Sequence, residues 1–520
     1  MKRAPRTAII VAVLVAAFAG RQVIHHGPAK AEAKPAAVVD TTPSAPRTWK
    51  LGSLEFHPCE LPQPHSGLSI AAWCAPYQVP EDREHPEGRK LDMRLAMVRS
   101  SAQVPADDVV VFLAGGPGQA ATETYSSIAP AMGLLLAHRN VLLLDQRGTG
   151  GSHPLSCRDG DDHDVPGGSE ESRGVDVAAV QKETKRCLDG LSAQADVRFY
   201  TTTDAVADLE DVRKALGSPK FNVFGVSYGT RVAQQYAMRH PDAVRTLVLD
   251  GIAPNALVLG EDFAVNLDAA LKAQFARCTN DEACRARFAD PYQTLYQLRD
   301  ALRANPHKVS FRDPQSYATT QRTLSEYVLA TVVRMFAYSP ETAALLPLSI
   351  DAAARGDVGP LLGQAKLLTG DLGDTMDGGM QYSVICSEDA DLLTSRPQDR
   401  DTILGDNMIE AFRAACSVWP HGKRPADFHQ PLQSPVPALL MSGEFDPVTP
   451  PRYGEEVLKG LPNGRHFILK GQGHNVVARG CMPRLLDQFI DKADAKALDG
   501  KCLERLTAQP VFVGFNGATP

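Results

Sequence analysis

The sequence predicts an α/β fold with a mostly parallel central sheet, flanking helices and a large helical insertion, on three observations. Short continuous β-branched and aliphatic runs recur, most of them ending in or beside Gly, Asp or Ser. Helical patterns lie between several of these runs, as they do when a parallel sheet is covered on both faces. One interval of about 180 residues then breaks the rhythm and is too long for a simple crossover.

The runs are Val109–Ala114, Val141–Asp145, Asn222–Gly225, Thr246–Asp250, Pro437–Ser442 and His466–Lys470, preceded by an alternating, half-buried strand pattern at Leu91–Arg99. Val206, Leu209, Val212 and Leu216 repeat at helical spacing, with Asp204 as the expected N-cap and Gly217 as the stop. Thr230–His240 reads as a second helix, halted before Pro241. The long interval is Ala-, Leu- and Arg-rich, with helical stretches at Leu267–Ala276, Leu324–Ala337 and Met408–Ala415. The expected organisation is a core over 49–254 and 434–505, with a mostly helical cap over 255–433.

The first residues stand apart from this fold. Lys2, Arg3 and Arg6 precede an uncharged run from Ala8 to Phe18, and Ala17-Phe18-Ala19 gives a small-x-small cleavage pattern. Residues 1–19 therefore read as a signal peptide; the run is short against the ~20 residues of a membrane span, which makes an uncleaved anchor the minor alternative. Residues 20–48 read as a disordered linker. Losing 1–19 removes three positive charges and no acid, which carries the net charge from −7 to −10. That balance speaks against nucleic acid as a partner.

The ten cysteines lie at 59, 74, 157, 187, 278, 284, 386, 416, 481 and 502, with no Cys-x-x-Cys among them. A zinc ribbon or thioredoxin-like site is disfavoured, and no metal is expected. In an oxidising compartment the simplest pairing joins sequence neighbours, because short loops close at least entropic cost; buried free thiols are the alternative. An exported protein, periplasmic or secreted from a bacterium, follows, without stable membrane insertion once the signal is cut and expected as a monomer.

The chemistry centres on Gly225-Val226-Ser227-Tyr228-Gly229, where a strand runs directly into a helix. A serine nucleophile on such a turn needs small residues two positions to either side, and the helix N-terminus favours a developing anion. This is the nucleophile turn of the α/β-hydrolase fold, in which an acid and then a histidine follow in chain order. Asp446 follows the run at 437–442 and is preferred to Glu444, since Pro447 closes the turn behind it; His474 follows the run at 466–470. The oxyanion donors are the backbone N–H groups of Tyr228 and of Gly116, with Gly115 next, in Gly115-Gly116-Pro117-Gly118. Such a mechanism uses no cofactor. Asp145 and Arg147 read as an ion pair bracing their loop.

These segments, with Asp145-Gln146-Arg147-Gly148-Thr149-Gly150-Gly151-Ser152 and Gly443-Glu444-Phe445-Asp446-Pro447-Val448-Thr449-Pro450, resemble the proline iminopeptidase and tripeptidyl aminopeptidase group of serine peptidases from about Trp49 to Cys502. The resemblance implies an α/β-hydrolase core, a helical cap and cleavage of peptides from a free N-terminus. It places Ser227, Asp446 and His474 on the triad positions and Gly116 and Tyr228 on the oxyanion positions. Ala114 departs from the histidine usual there, and Gln119-Ala120 from a common Gly-Ser; both lie where specificity is set. An exopeptidase must hold a free ammonium, for which Glu388, with Asp389 in reserve, is the candidate anchor; a structural acidic pair is the alternative reading. A secreted esterase or lipase on the same triad, and a non-catalytic binding protein, remain as alternatives.

Overall fold

The computed structural model describes residues 48–62, 68–157, 175–314, 316–514 and 516–518, omitting the side chains of 368–375. The expected signal peptide and nearly all of the linker lie outside these residues. The strands are β1 (Trp49–Leu51), β2 (Leu54–Pro62), β3 (Ser69–Pro80), β4 (Lys90–Val98), β5 (Val109–Leu113), β6 (Val141–Leu144), β7 (Phe221–Val226), β8 (Val244–Asp250), β9 (His307–Arg312), β10 (Thr319–Leu324), β11 (Ala438–Gly443) and β12 (Gly464–Leu469). Ten of them form one sheet in the order β1-β2-β3-β4-β6-β5-β7-β8-β11-β12, and β9 and β10 form a separate hairpin.

From β6 to β12 the sheet is parallel, and from β1 through β4 to β6 it is antiparallel. The parallel strands inside the sheet are buried on both faces, which is why they read as unbroken apolar runs, whereas the edge strand β12 leaves Ile468 exposed. Period-two alternation still sorts their side chains. Val109, Val111 and Leu113 of β5 join one core with Leu209, Val232 and Tyr236, while Val110 and Phe112 join another with Tyr125, Met132 and Phe489. A shift by one residue would exchange the two sets.

The helix Thr202–Leu216 starts differently from expectation. Thr201 is its N-cap, and Asp204 is the third helical residue of a capping box, returning a bond to the Thr201 N–H. The threonine hydroxyl reaches the Asp204 N–H while the longer acidic side chain reaches back, a reciprocal arrangement that satisfies two end donors. Gly217 ends the helix in the left-handed region at φ 67°.

The chain between β8 and β11 is helical over most of its length, its helices joined by loops and the β9–β10 hairpin, and it divides by packing. Leu267, Phe275, Val332, Ile350 and Leu361 build a separate apolar core. The helices Gly378–Glu388 and Asn407–Cys416 instead put Met380, Val384, Ile385 and Ile409 into the main core. All five neighbour disulfides form: 59–74, 157–187, 278–284, 386–416 and 481–502. Cys386–Cys416 joins the two helices that pack onto the main core. No helix among the described residues is long and apolar enough to cross a membrane.

Candidate active site

The candidate residues converge at the C-terminal ends of the parallel strands. Ser227 follows β7 with φ 55° and ψ −124°, a left-handed conformation that a side-chain-bearing residue adopts only when its surroundings impose it. The flanking glycines permit it. A Cβ on Gly225 would lie 2.3 Å from the carbonyl oxygen of Gly229, and one on Gly229 would lie 2.2 Å from that of Leu113. The Ser227 N–H is bonded to the Asp250 carbonyl at 2.9 Å, so the turn is pinned to the end of β8.

Asp446 and His474 are brought together as expected. The His474 Nδ1 lies 2.8 Å from Asp446 Oδ2, and both side chains are almost fully buried. Asp446 is fixed in turn by the N–H groups of Val448 and Thr449 and by the Thr449 hydroxyl, at 2.8–2.9 Å. With Nδ1–H donating to the carboxylate, Nε2 is left as the basic nitrogen. Burial alone would lower the His474 pKa, but Asp446, with Asp250 behind it, outweighs burial and raises it. Glu444, the other acid of this turn, takes the N–H of Gly471 instead.

His474 also borders the nucleophile turn, since a Cβ on Gly251 would lie 2.9 Å from its Cε1. Among the described residues no hydrogen bond joins Ser227 to His474; such bonds are often long in unliganded sites and tighten with substrate. The His474 backbone is held from the insertion, where Tyr338 accepts its N–H at 2.7 Å and sets a ring edge-on at 5.2 Å.

The loop expected to supply an oxyanion donor lies against the candidate nucleophile: a Cβ on Gly115 would be 3.2 Å from the Ser227 Cβ. Gly116 has φ 105°, which suits glycine alone, and the Gly116–Pro117 bond is cis. The insertion closes over this loop. Asp377 donates its N–H to the Gly118 carbonyl at 2.9 Å and accepts the Gly150 N–H at 3.0 Å, while the Met376 sulfur lies over Gly116 and Gly118.

Tyr228, the second expected oxyanion donor, is anchored by its side chain. Its hydroxyl lies 2.6 Å from Thr202 Oγ1 and 3.2 Å from Gln146 Nε2. Thr202 in turn gives its N–H and hydroxyl to Glu388, at 2.6 and 3.0 Å. Glu388 and Asp389 thus do not face an open cleft, as an ammonium anchor must. Both are fully buried; Asp389 pairs with the equally buried Arg231 at 2.9 Å, and Glu388 lies 4.0 Å from the same guanidinium. The acidic pair is committed to internal partners, Thr202 and Arg231. Burial pushes the Glu388 pKa up to about 8 against the opposing pull of Arg231.

Asp145 and Arg147 brace their loop through separate partners. Asp145 takes Thr122 and the Gly151 N–H, whereas Arg147 makes a bidentate pair with Asp208 at 2.6 Å. Both lie in the loop beyond β6, where each is already taken by a partner distant in sequence, so the expected ion pair does not form. Sequence reading also missed Asp250, whose carboxylate holds the N–H groups of Val476 and Val477 just beyond His474. An acid ending the strand next to the nucleophile strand was the available signal. Thr202, Tyr338 and Asp377 carried no such signal, for each acts through partners far away in sequence.

Known proteins similar to this chain include a serine protease and two peptidases. A 487-residue match to the serine protease Hip1 of Mycobacterium tuberculosis is 26% identical and covers 87% of this chain and 92% of that protein. The tripeptidyl aminopeptidase of Streptomyces coelicolor is 23% identical over 84% of each chain. The proline iminopeptidase of Neisseria gonorrhoeae is 33% identical over 144 residues, 28% of this chain and 32% of that one. The family model described as alpha/beta hydrolase fold matches residues 108–479, a span that contains Gly116, Ser227, Asp446 and His474. The chain belongs to the alpha/beta hydrolase fold family.

Proposed function

We propose that the protein is an exported serine peptidase that removes residues from the free N-terminus of peptides through an acyl-enzyme on Ser227. The observation that carries the mechanism is the buried His474–Asp446 pair, 2.8 Å apart, beside a serine held at positive φ on a strand-to-helix turn. The choice of a peptide bond draws support from the relatives, whose names are those of a protease and two aminopeptidases. Five disulfides fit an oxidising compartment.

In this reading Ser227 Oγ attacks the scissile carbonyl as its proton passes to His474 Nε2. Asp446 keeps the ring in the productive tautomer and balances the imidazolium. The N–H groups of Gly116 and Tyr228 take the oxyanion. The intermediate collapses as His474 protonates the leaving amine, and a water activated by His474 then releases the acyl group.

The test is a panel of peptide anilides of one to three residues, each with a free or an N-acetylated amino end. Free peptides should be cleaved, and acetylation should abolish cleavage. Equal rates on both would overturn the exopeptidase reading. Rapid turnover of p-nitrophenyl butyrate with no anilide cleavage would assign an esterase instead.

A further inference from the structure

We propose that Asp250 is a positioning residue of the reaction: it ties the nucleophile to its base and supports the imidazolium that forms on His474. This rests on the serine hydrolase reading above. Asp250 ends β8 and is fully buried. Its carbonyl takes the Ser227 N–H at 2.9 Å, and its carboxylate takes the N–H groups of Val476, at 2.9 Å to each oxygen, and Val477, at 2.8 Å. The next residue, Gly251, has φ 66° and lies against the imidazole, where a side chain would press on Cε1 at 2.9 Å. One residue therefore grips the nucleophile through its backbone and the base through the two amides that follow it.

The electrostatics give the grip a second consequence. Among the described residues no lysine or arginine forms an ion pair with Asp250; its hydrogen-bond partners are neutral amides. Burial pushes its pKa up to about 6, against the amides and His474, with Asp446 adding to the rise. A buried anion without a cation gains most when a positive charge appears beside it. That charge appears only during turnover, when the Ser227 Oγ–carbon bond forms and the Oγ proton moves to His474 Nε2. Neither carboxylate takes the proton: Asp446 meets the new charge at Nδ1 and Asp250 meets it across Gly251. The stabilisation is then larger in the transition state than in the resting enzyme, which is what raises a rate. Among the described residues a further charged group acting on His474 is Arg334, from the helix Glu326–Ala337, and it opposes protonation. Two anions outweigh one cation and burial.

The test is Asp250→Asn in the full chain, followed with a p-nitrophenyl ester. The acid limb of kcat/KM reports His474 in the free enzyme. Loss of the neighbouring anion should move that limb to lower pH by about one unit and lower kcat about tenfold, with KM little changed. A folded variant with the limb unmoved would overturn the proposal. If the asparagine variant does not fold, the coupling is read in reverse with aspartate labelled by carbon-13 at the carboxyl. His474→Gln should then raise the apparent pKa of the buried carboxyl that titrates near 6; no movement would overturn the proposal. Ester turnover that survives Ser227→Ala would instead overturn the hydrolase reading itself, so the two failures are distinguishable.

Discussion

Two buried carboxylate groups flank the nucleophile helix, and they have opposite fates. Asp446 at the end of β11 reaches an imidazole, whereas Glu388 and Asp389 at the end of the helix Gly378–Glu388 meet a guanidinium and a threonine. Both groups are dry, and both follow apolar segments that the sequence marks clearly. The partner separates them. A histidine can lose and gain its proton within the working pH range, so its anion modulates chemistry. A guanidinium offers no such exchange, so the acidic pair beside Arg231 serves architecture. A carboxylate's burial alone says little about its role; the pKa of the group facing it says more.

The sharpest way to break this contrast is to neutralise one member on each side. Asp446→Asn keeps the shape but cannot hold Nδ1–H as an anion does, and the wrong tautomer would then be stabilised. We expect kcat to fall by about 10⁴ with the melting temperature nearly unchanged, as in other serine triads. A fall below tenfold would mean that His474 is oriented by another group, with Asp250 the first suspect.

On the other side, Arg231→Met should act on stability rather than chemistry. It leaves Asp389 with only the Leu259 N–H and a His429 ring 3.6 Å away, in a fully buried position. Removing one partner of a buried ion pair costs about 3–5 kcal/mol, read by denaturant unfolding. Labelling of Ser227 by a fluorophosphonate should persist at temperatures where the variant is folded. A stable but unlabelled variant would move this cluster to the catalytic side of the comparison.

The same contrast explains what was legible beforehand. The strand ends at β5, β7, β11 and β12 announce themselves because buried parallel strands are continuous apolar runs and their loops carry Gly, Ser, Asp and His. Ser227, Asp446 and His474 could therefore be placed in one site from chain order. β1 to β3 were missed: Pro58, Pro62 and Pro76 interrupt the pattern, and antiparallel strands near an edge bury only part of each face. The internal partners of Glu388 were not legible because a sequence shows an acid beside a cysteine but not the threonine and arginine, 186 and 157 positions earlier, that face it. The Asp250 grip was invisible for the same reason: its amide partners lie 226 and 227 residues on. Local punctuation is written in the sequence, whereas long-range pairing becomes visible only in the fold.

The smallest expected effect sharpens the structural side of the comparison through its pH dependence. Glu388 holds a proton to about pH 8 when folded, against an ordinary value of 4.5. The folded state therefore binds more protons than the unfolded state between those two values, and stability must fall as pH rises through that window. Above about pH 8 the contribution is flat. Glutamine reproduces the protonated form: its carbonyl can accept the Thr202 N–H while its amide donates to Thr202 Oγ1, so the chain to the Tyr228 hydroxyl survives. Glu388→Gln should then match the wild type near pH 5 and become the more stable protein toward pH 9. The gap should grow by at most about 1.4 kcal/mol per pH unit, the full linkage of one proton. Urea unfolding of both proteins at pH 5, 7 and 9 measures it. A gap that stayed constant would mean that Glu388 is ionised throughout, and that Arg231 holds both anions as a buried ionic triad.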